Sequence, residues 1–323
     1  MPLSEFDLIN RYFAHHGATR SDVVLGISDD GAVLRVPPGS DLVVAMDTMV
    51  SGVHFFPDAD PAALGYKALA VNLSDMAAMG AEPAWATLAL TLPQPDEAWL
   101  AAFSAGLLAL AGQYGVQLVG GDTCRGPLTL TVQMHGFVPE GMALRRAGAR
   151  PGDVIYVTGT LGDAALALRV RSGSAEELSH AHAAFLAERL ERPTPRIQAG
   201  MALRGIASAA IDISDGLAAD LGHILNASGV GATVKVEHMP VSTAFTVMAK
   251  HKERWNLPLS GGDDYELCFT VPPEKQAEAE QRLARFPGGC TRIGVIESPH
   301  GLRNLLNGEV FEPTASGYQH FSA

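Results

Sequence analysis

The chain has 323 residues, 47% hydrophobic and 18% charged, with 34 Gly and 20 Pro. This is the composition of a folded, loop-rich protein of about two domains, and it excludes a disordered or fibrous one. Its 23 Lys and Arg against 35 Asp and Glu give a net charge of -12, which repels nucleic-acid phosphates and anionic membranes and excludes a generic nucleic-acid binder.

The acidity is uneven: residues 1–140 hold 5 basic and 15 acidic side chains, a net of -10, and the remainder 18 and 20, a net of -2. The opening MPLSEFDLINRYF carries Glu5 and Asp7 and no apolar signal core, so a soluble, cytoplasmic protein is expected. The strand pattern DLVVAMD (41–47) comes next, then a helix announced by Asp60 and Pro61, a cap and first-turn pair, which stops at Gly80. A second helix starts after Pro95 and Asp96 and ends near Gly115; its apolar stretch 101–112 is far below the roughly 20 residues of a membrane span. QLVGGD (117–122) and LTLTVQMHGFV (128–138) read as strands, so the order strand, helix, helix, strand, strand predicts a mixed α/β or α+β layer and not a barrel.

The Gly- and charge-rich segment EGMALRRAGARPGD (140–153) is the expected domain boundary, and DVIYVTG (153–159) opens the second domain. There the pattern predicts helices over 181–191, 195–207, 215–227 and 273–286, and strands near 208–213, 232–236, 265–271 and 290–296. RSGSAEELSHAH (171–182) reads as a surface loop. An internal echo links AVNLSDMAAMG (70–80) to AIDISDGLAADLG (210–222), by duplication or by coincidence. Cys124, Cys268 and Cys290 are odd in number and unpaired in spacing, which points to neither a disulfide framework nor a zinc site.

Nine aspartates follow apolar runs and small residues: Asp29, Asp30, Asp47, Asp75, Asp122, Asp212, Asp215, Asp263 and Asp264. Carboxylates beside small neighbours suit hard cations such as Mg²⁺, and leave room for a phosphate to approach the backbone. Any one of them alone reads more readily as a turn or helix cap. Asp75 does not. It lies inside a helical stretch with Val71, Asn72, Ala78 and Met79 at the neighbouring positions of its face, so its partner must come from elsewhere, and a metal is the economical candidate. The sequence has no GxxxxGK[ST] loop, no protein-kinase motif set and no GxSxG; GTLGDA (159–164) is not a dinucleotide fingerprint, and Cys124 reads as structural. What remains is metal-assisted handling of phosphate.

GISDDGA (26–32), MDTMVSGVHF (46–55), YKALAVNLSDMAAMGAEPAW (66–85), GGDTCRGPL (120–128), RAGARPGD (146–153), IDISDGLAADLGHI (211–224), SGGDDYELCF (260–269) and GYQHF (317–321) together resemble the bacterial thiamine-monophosphate kinase family. That family belongs to the ATP-binding superfamily that includes aminoimidazole ribonucleotide synthetase and selenophosphate synthetase. The resemblance spans nearly the whole chain. It implies a two-domain α+β fold like aminoimidazole ribonucleotide synthetase. Residues 1–139 would form an N-terminal mixed sheet with helices that binds ATP and Mg²⁺ and dimerises. Residues 149–323 would form a C-terminal α/β sandwich completing the ATP, metal and substrate site. It implies conversion of ATP and thiamine monophosphate to ADP and thiamine diphosphate by direct in-line transfer, with several Mg²⁺ ions and no protein group as catalytic base.

Carried over by position, the resemblance gives Asp30, Asp47, Asp75, Asp122, Asp212 and Asp215 as Mg²⁺ ligands. Gly121, Asp122, Arg146 and Ser214 would contact ATP, and His54, Asp263 and Tyr318 would contact thiamine monophosphate. It further implies a homodimer, and no nucleic-acid or membrane partner. The sequence departs from the family's pattern at Ala45 and Met46, where Ser or Thr is frequent, at Asp263, where Glu is frequent, and at Ser28, where Gly is frequent. The alternatives are another ATP-dependent enzyme of the superfamily, such as an aminoimidazole ribonucleotide synthetase-like one, and a non-catalytic Mg-nucleotide binding module.

Overall fold

A computed structural model describes residues 5–14, 16–173, 179–248, 252–315, 317–318 and 320–321. The chain divides into two units, Met1–Met76 with Ala81–Gly141, and Ala77–Gly80 with Met142–Ala323.

The first unit runs α1 (Glu5–Tyr12), β1 (Val23–Leu25), β2 (Val33–Leu34), β3 (Ser40–Val50), α2 (Pro61–Ala78), β4 (Glu82–Leu92), α3 (Glu97–Gln113), β5 (Gln117–Arg125) and β6 (Thr129–Pro139). The two expected helix starts form for the expected reason. Asp60 Oδ2 accepts the N–H of Ala63 at 2.8 Å, and Asp96 Oδ1 accepts those of Ala98 and Trp99 at 3.0 and 3.1 Å, each satisfying first-turn donors that no helical carbonyl can reach. The four-stranded sheet has the order β3-β6-β4-β5, antiparallel except for the β4–β5 pair. Its core is built from Leu69, Leu73 and Met76 of α2, Leu100, Phe103 and Leu107 of α3, and Leu88, Leu90, Val132 and Met134 of the central strands, all at most 5% exposed. β4 sits in the middle of this sheet although the sequence pattern left it unassigned. It is covered on much of both faces, so the polar-apolar alternation that announces a half-buried strand is missing.

The second unit comprises β7 (Val154–Thr158), α4 (Asp163–Arg171), α5 (His180–Glu191), α6 (Ile197–Ala202), β8 (Ala209–Asp212), α7 (Leu217–Ser228), β9 (Gly231–Lys235), α8 (Thr243–Met248), α9 (Asn256–Ser260), β10 (Leu267–Val271), α10 (Gln276–Leu283), β11 (Cys290–Glu297), β12 (Gly301–Leu306) and β13 (Glu309–Val310). They form a seven-stranded sheet of order β13-β12-β9-β11-β7-β10-β8, parallel only between β12 and β9. Every residue of β7, β8 and β10 is buried. One core joins these strands to Leu217, Leu221 and Ile224 of α7, and another joins α4 and α5 to Phe245 and Leu257.

The α+β class expected from the sequence is the class observed. Three expected elements differ in extent. The stretch 171–182 begins as the last residue of α4 and ends inside α5, which Ser179 caps by accepting the N–H of His182; its residues 174–178 lie outside the described residues. The helix expected over 195–207 is only Ile197–Ala202, and that over 273–286 is a 3₁₀ turn at Pro273–Lys275 followed by α10. The internal echo has no structural counterpart: Asp75 lies within α2, whereas Ser214 and Asp215 lie in the loop between β8 and α7.

Candidate active site

In the first unit, the loop Ile27–Ala32, Thr87 and Leu88 of β4, Leu118–Thr123 of β5 and one face of α1 enclose a cavity of about 620 Å³. Asp29, Asp30 and Asp122 line it, all exposed, and among the described residues lining it there is no Lys or Arg. The loop is tightly wound: the Asp30 N–H donates to Asp29 Oδ1 at 2.9 Å, and Ser28 holds φ at +119°, a region glycine adopts freely and other residues do not. Gly121 is required by close approach, since a Cβ there would stand 1.9 Å from the Leu88 carbonyl oxygen on β4. Asp30, Gly121 and Asp122, far apart in sequence, thus share one wall.

Asp47 and Asp75 form a second pair of positions. The Asp47 N–H donates to Asn72 Oδ1 at 3.1 Å, and Asn72, fully buried, anchors itself by donating to the Ala68 carbonyl at 3.1 Å. Asp75 is three residues further along α2, on the same helix face as Asn72. By register, Asp47 pairs with Val132, Val132 with Leu88 and Leu88 with Gly121. Asp47 and Asp122 therefore stand in adjacent rows at opposite sheet edges, three strand spacings of about 4.8 Å apart. Strand alternation turns Met46, 62% exposed, to the face opposite Asp47, which removes its side chain from any metal on the Asp47 side. His54 follows in the turn after β3, where its Nδ1 accepts the Val50 N–H at 3.0 Å, so the ring proton is on Nε2.

In the second unit, three loops meet. Asp212 ends β8, paired with Leu267 and 6% exposed, and Ser214 and Asp215 follow it. The Asp263 N–H donates to the Ser214 carbonyl at 2.9 Å, the Tyr265 N–H to that of Ile213 at 2.8 Å, and the Tyr318 N–H to that of Asp215 at 3.0 Å. Gly262 permits this, because a Cβ there would stand 2.3 Å from the Ser214 carbonyl oxygen. Asp263 is left-handed at φ +67°, a conformation Asp tolerates better than most residues, and the Tyr265 hydroxyl donates to its Oδ1 at 3.0 Å. Arg146 is exposed on a neighbouring segment, held by the Ala210 N–H donating to the Arg145 carbonyl and the Ser228 hydroxyl donating to the Arg146 carbonyl.

Asp220, which the sequence reading passed over, fixes this loop. Its Oδ2 accepts the N–H groups of Ser214, Asp215 and Gly216 at 3.0, 3.1 and 3.2 Å from a position only 3% exposed. Burial, aided by the charge of Asp212, pushes its carboxyl up to about 7. The signal available in the sequence is an acid in the first turn of a helix opened by Asp-Gly.

The neighbours of Asp263 take a different part. Asp264 is buried, and both its oxygens accept the Gly162 N–H, at 3.0 and 2.9 Å. Glu266, fully buried, accepts from Thr158 at 2.7 Å, from Arg189 at 2.9 Å and from Arg196 at 2.6 and 2.5 Å. Asp163 accepts from Thr160 and Ser242 at 2.6 and 2.5 Å. Burial raises the carboxyls of Asp163 and Asp264, the latter well above the usual range. Of the nine patterned aspartates, Asp264 is therefore a buried anchor, unlike the cation-facing acid its setting in sequence predicts. Among the described residues, no three His, Cys, Asp or Glu side chains form a compact metal-binding group, so the remaining acids occur as pairs and loops on each unit.

Residues 28–138 match the family described as AIR synthase related protein, N-terminal domain, and residues 150–304 its C-terminal domain. The chain is 51% identical to thiamine-monophosphate kinase of Salmonella typhimurium (100% of this chain, 99% of the relative) and 49% identical to that of Escherichia coli K12, with the same coverage. Among solved structures, the thiamine-monophosphate kinase of Stenotrophomonas maltophilia K279a superposes with a TM-score of 0.84 at 46% identity, covering 90% of this chain and 93% of that one. The structure described as AaThiL complexed with AMPPCP and TMP gives 0.77 at 32% identity, covering 89% of each chain. The E. coli hydrogenase maturation protein HypE, 21% identical with a TM-score of 0.73, shares the fold.

Proposed function

The chain belongs to the thiamine-monophosphate kinase family of AIR synthase related proteins, and from that premise we propose how its residues serve the reaction. It is an enzyme that phosphorylates thiamine monophosphate to thiamine diphosphate at the expense of ATP. The observation that carries this is identity of about half the residues, over the full length, to kinases of that name.

In our reading the polyphosphate of ATP lies along the wall formed by Asp30, Gly121 and Asp122, and the family resemblance gives Arg146 and Ser214 as further residues that would contact ATP. A cavity wall with three carboxylates and no cationic side chain cannot take a polyphosphate unaided, and an all-oxygen donor set of this kind fits Mg²⁺. Asp30, Asp47, Asp75, Asp122, Asp212 and Asp215 would hold several such ions. When bound, Mg²⁺ supplies neutralisation of the charge that develops between two anionic groups. His54 offers its Nε2 proton to the substrate phosphate, Asp263 its charge to the cationic thiazolium, and Tyr318 its ring as a stacking surface. A phosphate monoester is largely doubly ionised near pH 7, so its oxygen can attack the γ-phosphorus in line as the bond to ADP breaks, without a protein base and without a phosphoenzyme.

Residues about 1–139 would provide most of the nucleotide and metal contacts and the dimer surface, and 149–323 the remainder. Leu42, Val44 and Met46, exposed in alternation on β3, support a homodimer joined through the outer face of this sheet. Among the described residues no helix is long and apolar enough to cross a membrane, and we propose a cytoplasmic location. The test is ADP release with thiamine monophosphate, free thiamine and aminoimidazole precursors side by side. Turnover confined to thiamine monophosphate is expected, and turnover confined to another substrate would overturn the reading.

A further inference from the structure

In the second unit, Ser228, the last residue of α7, directs its hydroxyl to a segment 79–82 residues earlier in the chain. Its Oγ accepts the N–H groups of Gly148 and Ala149, each at 3.1 Å, and donates to the Arg146 carbonyl at 3.3 Å. A hydroxyl has one proton and two lone pairs, so its whole capacity goes to this one turn. The helix has no need of it. α7 is closed by Gly229, left-handed at φ +68°, whose N–H donates to the Asn226 and Leu225 carbonyls. The turn is held from its other side by the Ala210 N–H, which donates to the Arg145 carbonyl at 2.9 Å. Gly148, at φ +131°, completes the fit, because a Cβ there would stand 2.3 Å from the Ser208 carbonyl oxygen. The backbone is thus fixed at residues 145, 146, 148 and 149, while the Arg146 side chain is exposed and has no carboxylate partner among the described residues.

We infer that Ser228 is a positioning residue for the kinase reaction: its hydroxyl sets the backbone at Arg146 so that the guanidinium is presented to the polyphosphate of ATP. This deepens the reading above and rests on its assignment of Arg146 to ATP. A guanidinium recognises phosphate oxygens through a rigid fork of N–H donors, so its value depends on where its backbone stands. A backbone fixed beforehand leaves only the side chain to be ordered when ATP binds, and less conformational entropy is lost. The same helix acts at both ends. Asp220 in its first turn holds the backbone of Ser214 and Asp215, and Ser228 at its last residue holds that of Arg146. One rigid element therefore sets the spacing of two segments assigned to ATP and metal.

The test uses the full chain with Ser228→Ala, Ser228→Thr, Arg146→Ala and the double variant Arg146→Ala with Ser228→Ala. Ser228 is half-buried and alanine is a good helix former, so folding should persist, which thermal melting checks. Gly148→Ala displaces the same turn without touching Ser228 and serves as an independent variant. Affinity for AMPPCP is measured by calorimetry in the presence of Mg²⁺, and KM for both substrates by ADP release. Ser228→Ala and Gly148→Ala should each weaken AMPPCP binding and raise the KM for ATP by about three- to tenfold, with the KM for thiamine monophosphate unchanged. Ser228→Thr, which keeps the hydroxyl, should restore both values. The double variant should bind AMPPCP no more weakly than Arg146→Ala alone, because Ser228 acts through Arg146. Unchanged AMPPCP binding in Ser228→Ala, an equal rise in both KM values, or additive losses in the double variant overturns the inference while the assignment of Arg146 to ATP stands. If Arg146→Ala itself binds AMPPCP as wild type does, that assignment fails and the inference falls with it.

Discussion

Replacing Asp220 by Ala tests whether one buried carboxylate shapes the loop that carries Ser214 and Asp215. Its Oδ2 is the acceptor for three successive N–H groups at 3.0–3.2 Å, and of the three donors Gly216 is buried while Ser214 and Asp215 are half-buried. Water can replace the carboxylate at the half-buried donors but not readily at Gly216, where an unmet buried N–H costs about 1–3 kcal/mol. With the void left by the side chain, the loss for Asp220→Ala should be about 3 kcal/mol. For a unit of this size that lowers the melting temperature by about 6–12 °C. Asp220→Asn keeps one oxygen in the same place and should lose no more than about 1 kcal/mol, or about 2–4 °C. Thermal unfolding followed by circular dichroism gives these numbers. The KM for ATP at fixed Mg²⁺ should rise in the Ala variant, because the loop that presents Ser214 is no longer held. If the Ala variant melts within about 2 °C of wild type, or if Asn is as damaging as Ala, the three-donor account of the loop is wrong.

Ser28→Gly should stabilise the first unit, since relief of a non-glycine residue at φ +119° is worth about 1–3 kcal/mol against about 0.5–1 kcal/mol for the extra freedom of glycine in the unfolded chain. A lower melting temperature for this variant would show that the Ser28 side chain compensates its backbone. Asp75→Asn should reduce kcat by roughly a hundredfold while the protein melts normally, the size of effect seen when one charge-stabilising group is removed from an active site; near-normal kinetics across a Mg²⁺ titration would remove Asp75 from the metal ligands. Asp264 should make stability fall as pH rises. Its carboxyl, which faces Asp163, Glu266 and Arg189, holds its proton in the folded chain well above the unfolded value of 3.8. The folded state therefore binds the extra proton, and the contribution is complete at acid pH and is lost as pH climbs from about 4. Urea titrations between pH 5 and pH 8 should show a shallower decline in Asp264→Asn, and an unchanged slope would refute the assignment.

Much of this molecule is legible in one dimension. The helices α2 and α3 are announced by Asp60, Pro61 and Asp96, whose capping bonds are local and need nothing from the rest of the fold. β4 was not legible, because a strand covered on both faces has no alternation to display, and the short α6 was overestimated because helical composition continues past the point where Leu203 ends it. The acids of the candidate site were recognisable as a group, yet their organisation was not. Asn72, which fixes Asp47, is 25 residues away from it, and Asp220 looks like any first-turn acid until its oxygen is seen to face three amides.

By itself the sequence determined the family and the reaction, because chemistry at a phosphate demands particular residue types and the ordered motifs preserve them over the whole chain. Only the tertiary structure decided which carboxylates face a cavity and which are sealed inside. Asp263 and Asp264 are adjacent, with the same neighbours in sequence, but a left-handed turn at the first leaves it half-exposed beside Tyr265, while the second is buried on the Gly162 N–H. Its companion Glu266 is held by Arg189 and Arg196, 77 and 70 residues away. The charge state and exposure of an acid depend on such distant partners and on the solvent they exclude, and the residues next to it in the chain do not specify them.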